Sequence, residues 1–507
     1  MQGGRHLYHR SPCVFVFTKH THCHPAAGQD VTITGRIPGT MRGFIGCILP
    51  ALILLPPAVS RSFTQEHTTM HIMGEVRHDR TAIAREMEDV LRKDIAQWYP
   101  LALDNEYGGF YSDIDYTWRV TGQQNKMIVT QARHVWSASH LAEERPAMKG
   151  LLDVAAHGVR FLQLTMWDRD SGGFYDLVDR KGIPLADHGR IIKRAYGNAF
   201  AIYGLAAYYK ATGDTAALSL ARETFTWLEN HSHDPDYGGY FQFMARGGTP
   251  FTAGYNGTPP KDQNSTIHLL EAFAQLYAVW PDTVLRERLA SLLTIVRDTI
   301  TTKKGYMRLF FDRAWHPASW RNATAREREE HYDLDHVSFG HDVEVGYLLL
   351  DAAAALGIPD DSTTLRVAKN MVDHTLDFGW DTSHGGVFDR GYYLQDNEPP
   401  VIIRNTKEWW AQVEAMNSLL IMADAYPGDP HRYYDVFCTQ WEYCKKFVID
   451  SRYGGWYWGG ADIVPDNRTS NKSSIWKANY HTSRALLNCI NRLLQHEDQE
   501  ERTTIHR

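Results

Sequence analysis

The segment Asp104-Asn105-Glu106-Tyr107-Gly108-Gly109-Phe110 decides the fold of this chain, because close copies of it recur along the sequence. The first glycines of the six copies, one of them degenerate, are at positions 108, 172, 238, 305, 385 and 454. A Gly-Gly pair after acidic and polar residues predicts a tight turn with positive φ. Six turns of one kind at quasi-regular spacing therefore indicate an internal repeat of roughly 65 residues.

The sequence between the turns has a helical pattern. Residues 196–209 are rich in alanine and apolar on most sides, which predicts a buried helix. Thr212-Gly213-Asp214 ends this helix and starts a second one that runs to Leu228. Similar stretches occur at 266–280, 343–355, 408–425 and 480–494. Each repeat is therefore expected to contain two helices.

Six helical hairpins in series predict an all-α fold, an (α/α)6 barrel whose inner helices face an axial pocket. An open solenoid is the alternative, but a solenoid needs polar capping repeats, and none is obvious in the sequence. In a closed ring the Gly-Gly turns gather at one end. Loops at such an end commonly build a functional site.

Composition excludes several classes of protein. The chain has 507 residues, of which 43% are hydrophobic, and this is too apolar for a disordered protein. The formal net charge of −7 argues against a nucleic-acid partner, which would favour a basic surplus. Aromatic residues make up 12%, a share that suits either a large core or stacking against sugar rings.

Residues 1–60 differ from the rest, since they carry five Lys or Arg and one Asp. Met41-Arg42-Gly43 opens an apolar run that ends in Ala58-Val59-Ser60, the layout of a secretory signal. The run is too short and too rich in proline for a stable membrane span. We therefore expect a leader at 1–60 and a single catalytic domain at 61–507. This predicts a periplasmic or secreted protein, or a cytoplasmic one if the signal is not used.

Histidines are the polar residues that stand out in the apolar helical stretches. His268 lies four residues after Asn264 on one helix face, and His341 lies three residues before Glu344. His481 opens another helix. Each histidine alone is more often a satisfied core residue, but three at the starts of inner helices favour a site. The spacing is weak evidence for metal ligands, and no zinc-type cysteine spacing occurs.

Other candidates lie near helix starts as well. Arg133 either forms a structural ion pair or clamps an oxyanion or hydroxyl with its planar donor fork. Trp409 and Trp410 precede Glu414, which shares a helix face with Trp410. Tryptophan in such a place is either core or a platform for a sugar ring.

Taken in order, these segments resemble the N-acylglucosamine 2-epimerase superfamily, and within it the cellobiose or mannobiose 2-epimerases. The resemblance spans roughly residues 80–495. Two departures, Ile267 and Val345-Gly346-Tyr347, leave the preferred disaccharide open. The matching segments are Ala132-Arg133 to Trp136, Tyr196-Gly197 to Phe200, Asn264 to Glu271, Ser338 to Glu344, Trp409 to Glu414, and Trp476 to Ala485.

The resemblance implies a 2-epimerase that interconverts glucose and mannose at the reducing end of β-1,4-linked disaccharides. Two histidines, His341 and His481, would move the C2 proton through a cis-enediolate. Arg133 and His268 would stabilise the charge at O1, and Glu344 would orient His341. The substrate would be bound by Tyr196, Asn264, Trp409, Trp410, Glu414 and Trp476. Neither a metal nor another cofactor is required.

Three alternatives remain open at this stage. A glycoside hydrolase on the same barrel would need two carboxylates, for which Asp115, Asp176, Asp335 and Glu344 are available. An aldose–ketose isomerase would share the enediolate and return the proton to C1. A non-catalytic sugar-binding protein would lack activity altogether. In each case the partner is an oligosaccharide or sugar, and we expect a monomer or a weak dimer.

Overall fold

The computed structural model describes residues 79–505, with side chains described to residue 495. The predicted leader and signal-like segment lie outside the described residues. Thirteen α-helices are present in the described part: α1 Arg80–Trp98, α2 Ile128–Glu144, α3 Leu151–Phe161, α4 Ala195–Thr212, α5 Thr215–His231, α6 Gln263–Val279, α7 Thr283–Thr294, α8 Ala325–Asp335, α9 Phe339–Ala355, α10 Ser362–Phe378, α11 Trp409–Ala425, α12 Tyr433–Tyr443 and α13 Tyr480–Ile505.

Short strands connect the helices. They pair antiparallel as β1 with β2, β3 with β4, β5 with β6, and β7 with β8 and β9. Between residues 79 and 505, no helix is long and apolar enough to cross a bilayer. The strands are β1 Lys126–Met127, β2 Leu177–Val178, β3 Ile192–Arg194, β4 Phe243–Ala245, β5 Lys261–Asp262, β6 Phe310–Phe311, β7 Val337–Ser338, β8 Arg390–Tyr392 and β9 Val401–Arg404.

The helices form two concentric rings, so the predicted (α/α)6 barrel is confirmed. The inner ring is α2, α4, α6, α9, α11 and α13, each packed on the next, and α13 packs on α2 to close it. Closure excludes the open solenoid. The outer ring is α3, α5, α7, α10, α12 and α1, and α1 packs on α13. The sixth pair therefore joins the two ends of the domain and is not a hairpin in series.

Local sequence explains why a hairpin such as α4–α5 folds as it does. Helix α4 ends at Gly213, whose φ of 75° is the left-handed conformation common at helix ends. Asp214 then starts α5 by accepting hydrogen bonds from the backbone N–H groups of Ala216 and Ala217. The repeat was recognisable because such end signals recur between apolar stretches.

The Gly-Gly turns are tied to the beginnings of the inner helices. The N–H after the turn donates to the fourth residue of an inner helix, as from Phe110 to Gln131 at 2.7 Å and from Phe174 to Asn198 at 2.9 Å. A Cβ on Gly109 would approach the Phe161 ring to 2.7 Å, so glycine is required there. These bonds hold the turns at the end of the barrel where the inner helices start.

A buried ion pair marks five of the six repeats. The aspartate that opens each turn accepts from a lysine placed before the following inner helix. In the fourth repeat Thr302 and Val337 occupy the two equivalent positions, so both charges are absent together. Loss of one partner alone would leave an uncompensated buried charge. The pairs are Lys126–Asp104, Lys193–Asp168, Lys261–Asp234, Lys407–Asp381 and Lys472–Asp450.

Breaking one such pair is expected to destabilise the fold more than removing both partners. Lys472 and Asp450 are each 1% exposed and 2.6 Å apart. We expect Lys472→Val to lower the free energy of unfolding by about 3 kcal/mol. The double variant Asp450→Thr with Lys472→Val reproduces the fourth repeat and should recover most of that loss. Urea denaturation measures the free energy of unfolding of both variants. A double variant less stable than Lys472→Val alone would contradict the pairing argument.

The long spacing between the fourth and fifth turns has a structural cause. An extra helix, α8, is inserted between Gly305 and Gly385. The simple two-helix repeat predicted from the sequence is therefore interrupted here. His336, the residue that follows α8, lines the outer of the two cavities described next.

Candidate active site

A cavity of about 400 Å³ lies among the first turns of the inner helices. Every inner helix contributes to it, which explains why the candidates are far apart in sequence. All the predicted site residues except Glu414 line this cavity. They are Arg133 from α2, Tyr196 from α4, Asn264 and His268 from α6, His341 and Glu344 from α9, Trp409 and Trp410 from α11, His481 from α13, and Trp476 from the preceding loop.

The three histidines are oriented in the same way. Nδ1 of His341 is 2.7 Å from the Ser338 hydroxyl, Nδ1 of His481 is 2.6 Å from Glu414 Oε1, and Nδ1 of His268 is 2.9 Å from Glu271 Oε2. Because each Nδ1 is engaged behind the cavity, Nε2 is the nitrogen left for a ligand. Such a partner fixes both the tautomer and the ring orientation of a histidine.

Trp410 packs close to both of the histidines assigned to proton transfer. Its ring centroid is 4.7 Å from that of His341 and 5.8 Å from that of His481. The two imidazoles therefore face one compartment, and their separation cannot exceed the two distances together. This arrangement allows both to reach a single small ligand.

Arg133 is fixed by neighbours of the cavity. Its guanidinium donates to the Trp476 carbonyl at 3.1 Å and to the Tyr196 hydroxyl at 3.0 Å. It also lies 4.4 Å from the Phe200 ring centroid. The donor fork is thus held in a preset plane beside the cavity, as a site for oxyanions requires.

A charged cluster supports the floor of the cavity, and the sequence reasoning did not assign it. Arg484 donates to Glu271, and it donates to Glu344 and Glu414 at 2.6 Å each. The Tyr347 hydroxyl also donates to Glu414, at 2.7 Å. In the sequence, a role for Arg484 is indicated only by its position, three residues after His481 on the same helix.

Two predicted roles need correction. Glu414 is fully buried and does not line the cavity, because its oxygens are used by His481, Arg484 and Tyr347. It is hydrogen-bonded to Nδ1 of His481, behind the residues that line the cavity. Glu344 is predicted to orient His341, yet it accepts from Arg484, and Nδ1 of His341 is hydrogen-bonded to the Ser338 hydroxyl.

Burial sets the proton affinities of the site. It lowers the pKa of His341 to about 4, so this ring is neutral near pH 7. Burial, followed by the charge of Arg133, lowers the pKa of His481, and burial raises the pKa of Glu414. The charged forms of His481 and Glu414 are both disfavoured. The hydrogen bond between the two groups couples their titration.

A second, outer cavity of about 670 Å³ adjoins the first and shares Tyr196, Asn264, His341 and Trp476 with it. Its walls combine polar side chains with apolar surface. A ligand larger than one sugar ring can therefore extend outward from the inner cavity. The remaining lining residues are Arg194, Gln242, Phe243, Thr258, Asp262, Gln263, Ser265, Leu309, Phe310 and His336.

The cluster of Glu344, Glu414 and His481 has the spacing of a metal site, with ligand atoms within 4.8 Å of one another. Arg484, however, donates to both carboxylates and already neutralises part of their charge. A cation at this position would have to displace the guanidinium. The donor set is therefore better explained as an ion-pair network that supports His481.

A statistical model of the N-acylglucosamine 2-epimerase (GlcNAc 2-epimerase) family matches residues 109–485, most of the chain. The chain belongs to this family. The cellobiose 2-epimerase of Bacteroides fragilis is 27% identical over 426 residues, covering 80% of this chain and all of the relative. The D-mannose isomerase of Thermobifida fusca is 25% identical over 334 residues, covering 65% of this chain and 75% of the relative.

A solved structure agrees with these sequence relationships. The cellobiose 2-epimerase of Spirochaeta thermophila superposes with a TM-score of 0.71 at 29% identity, covering 83% of this chain and 99% of the other. The chain is accordingly an enzyme, a carbohydrate epimerase in the isomerase class.

The glycoside hydrolase alternative fits the geometry poorly. Among the described residues, Glu344 is the carboxylate that lines the inner cavity, and it accepts from Arg484. Asp176 is paired with Arg194, and Asp335 accepts from the Tyr392 hydroxyl. A hydrolase needs two carboxyl groups facing each other across a bond. The observed lining is dominated by histidine and tryptophan instead.

Proposed function

We propose that this enzyme is a 2-epimerase of β-1,4-linked disaccharides, which interconverts glucose and mannose at the reducing end of cellobiose and mannobiose. The inner cavity would hold the reducing sugar and the outer cavity the second ring. The observation that carries the proposal is the pair His341 and His481, which line one cavity and both pack near Trp410.

The chemistry starts from the opened sugar, because only the aldehyde form makes the C2–H bond acidic. One histidine takes the C2 proton on Nε2, and the electron pair of the broken C–H bond forms a cis-enediolate. The other histidine then gives a proton to the opposite face of C2. Neutral His341 suits the base, and His481 backed by Glu414 suits the acid; the roles exchange in the reverse direction.

The developing charge at O1 needs donors held in advance. Arg133 and His268 would supply them, and their hydrogen bonds to Tyr196 and Glu271 support this role. Asn264 and Tyr196 would bind the hydroxyls at C2 and C3. Trp409, Trp410 and Trp476 would stack on the sugar rings.

Incubation in D2O tests the proposal directly. We expect cellobiose to be converted to its 2-epimer with deuterium at C2 of the reducing sugar, because the proton returned comes from a histidine that exchanges with solvent. NMR of the purified product detects both changes. An epimer without deuterium would contradict the proton-transfer scheme, and release of monosaccharides would indicate a hydrolase.

An aldose–ketose isomerase is the second candidate, and the similarity to a D-mannose isomerase favours keeping it. It would use the same enediolate and return the proton to C1, which yields a ketose. Product analysis of the same incubation, with mannose as a parallel substrate, separates the two activities.

A further inference from the structure

Trp410 is held from behind by a carboxyl group that has no assigned role. The indole N–H of Trp410 donates to Glu408 Oε2 at 3.2 Å. Glu408 is only 2% exposed, so this bond is shielded from water. Hydrogen bonds of this kind fix the direction of an aromatic ring that packing alone would leave adjustable.

The side chain of Glu408 points in an unusual direction for a residue at this position in a helix. It is the N-cap residue of α11, yet its side chain accepts no hydrogen bond from a backbone N–H of the first helical turn. Side chains at an N-cap ordinarily accept from the backbone N–H two or three residues later. Here the carboxyl group does not cap the helix. It accepts instead from the indole of Trp410, which lines the cavity.

The other edge of the Trp410 ring is confined by α9. A Cβ built on Gly340 would lie 2.7 Å from Trp410 Cη2 and 2.6 Å from the Cβ of Ala411. The close approach therefore depends on the missing side chain at Gly340, directly before His341. The ring is limited on two sides, by Glu408 at its N–H edge and by Gly340 at its benzo edge.

Charged groups near Glu408 affect the protonation of the carboxyl group that accepts the hydrogen bond from the Trp410 indole. Asp389 is buried next to it, and Arg404 lies 3.5 Å from both carboxyl groups. Burial, followed by the charge of Asp389, raises the pKa of Glu408 to about 8. Burial therefore favours the neutral form of this carboxyl group, in competition with Asp389. A glutamine amide would offer the same kind of acceptor oxygen.

We infer that Glu408 is a positioning residue of the reaction: it holds the Trp410 ring against both His341 and His481, so that the two imidazoles stay aligned on one carbon. This inference rests on the proposed two-histidine function. Misplacement of a reacting group by about 1 Å can cost a hundredfold in rate. A tethered indole packed near both bases limits such misplacement.

A variant series separates positioning from general structure. We expect Glu408→Leu to lower kcat by about 10-fold to 100-fold with a smaller change in KM, and Glu408→Gln to keep most of the activity. In a Trp410→Phe background, which lacks the donor, Glu408→Leu should cause no further loss. Equal losses in both backgrounds would overturn the inference.

The chain offers a matched control on its outer surface. Glu86 Oε2 accepts from the Trp441 indole at 3.0 Å, and Glu86 is exposed on α1. Glu86→Leu removes a bond of the same type far from the cavity lining and should leave kcat unchanged. A loss equal to that of Glu408→Leu would show that the effect is not specific to Trp410.

An activity-independent measurement distinguishes failure of the inference from failure of the proposed function. In the full chain labelled with ¹⁵N-tryptophan, the indole N–H resonance of Trp410 is the one missing in Trp410→Phe. We expect it to shift upfield in Glu408→Leu and to stay near its original position in Glu408→Gln. An unshifted resonance in Glu408→Leu would contradict the tether, whatever reaction the enzyme catalyses.

Discussion

Replacement of His481 by glutamine is expected to lower kcat for epimerisation by about 10²-fold to 10⁴-fold, the usual contribution of a positioned acid or base. His341→Gln should have an effect of the same size. In each variant one face of C2 loses its proton donor and acceptor, while the cavity and Arg133 remain. Initial rates with cellobiose, followed by the appearance of the 2-epimer, measure this loss.

The same variants reveal which epimer each histidine serves. With His481 absent, His341 can still remove the proton from the epimer whose C2–H faces it and return one to the same face. That epimer should gain deuterium in D2O without inversion, and the other should not. His341→Gln should give the reverse pattern. His316→Gln, at an exposed surface position, is the control.

Exchange of both epimers at equal rates in either variant would contradict the assignment of one histidine to each face. A variant that epimerises at the wild-type rate would show that the replaced histidine takes no part in the mechanism. Urea denaturation of each variant checks that a loss of activity does not come from unfolding.

Arg484→Met is expected to destabilise the protein by about 4–5 kcal/mol, at the upper end of the cost of breaking a buried charge pair. Arg484 is 3% exposed and is shared by Glu271, Glu344 and Glu414. Its removal leaves three carboxyl groups together with little compensation. The midpoint of urea unfolding should fall strongly, and so should epimerase activity, because Glu414 also supports His481.

The control for this variant is Arg326→Met. Arg326 forms an ion pair with Glu330 on the exposed face of α8, and surface pairs contribute at most about 1 kcal/mol. A loss of stability in Arg484→Met no larger than in the control would show that the three carboxyl groups are neutralised by protonation instead.

The sequence predicted the barrel because its signals are local. Turn glycines, helix ends and apolar stretches such as 196–209 recur, and each needs only neighbouring residues to be interpreted. Most of the site residues followed because several polar side chains recur at the starts of apolar inner helices, while Tyr196 and Trp476 were implied by the family resemblance alone. Ten of them lie around one cavity.

The features that could not be predicted depend on contacts across the ring. Glu414 and Trp410 share a helix face in sequence, yet Glu414 is buried because Arg484 and Tyr347 approach it from other helices. The pairing of α1 with α13 depends on closure of the whole ring, and nothing in either helix alone indicates it. The insertion around α8 lengthens one repeat without a glycine signal of its own.

The pairing of α1 with α13 also determines when, during synthesis, the barrel closes and the site is completed. During synthesis, α1 emerges before every other barrel helix and waits without its partner until α13 has left the ribosome. His481 lies on that last helix, so the catalytic pair is completed by the same event that seals the ring. A partly made chain therefore lacks the second histidine of the proposed pair while its apolar interior is still open.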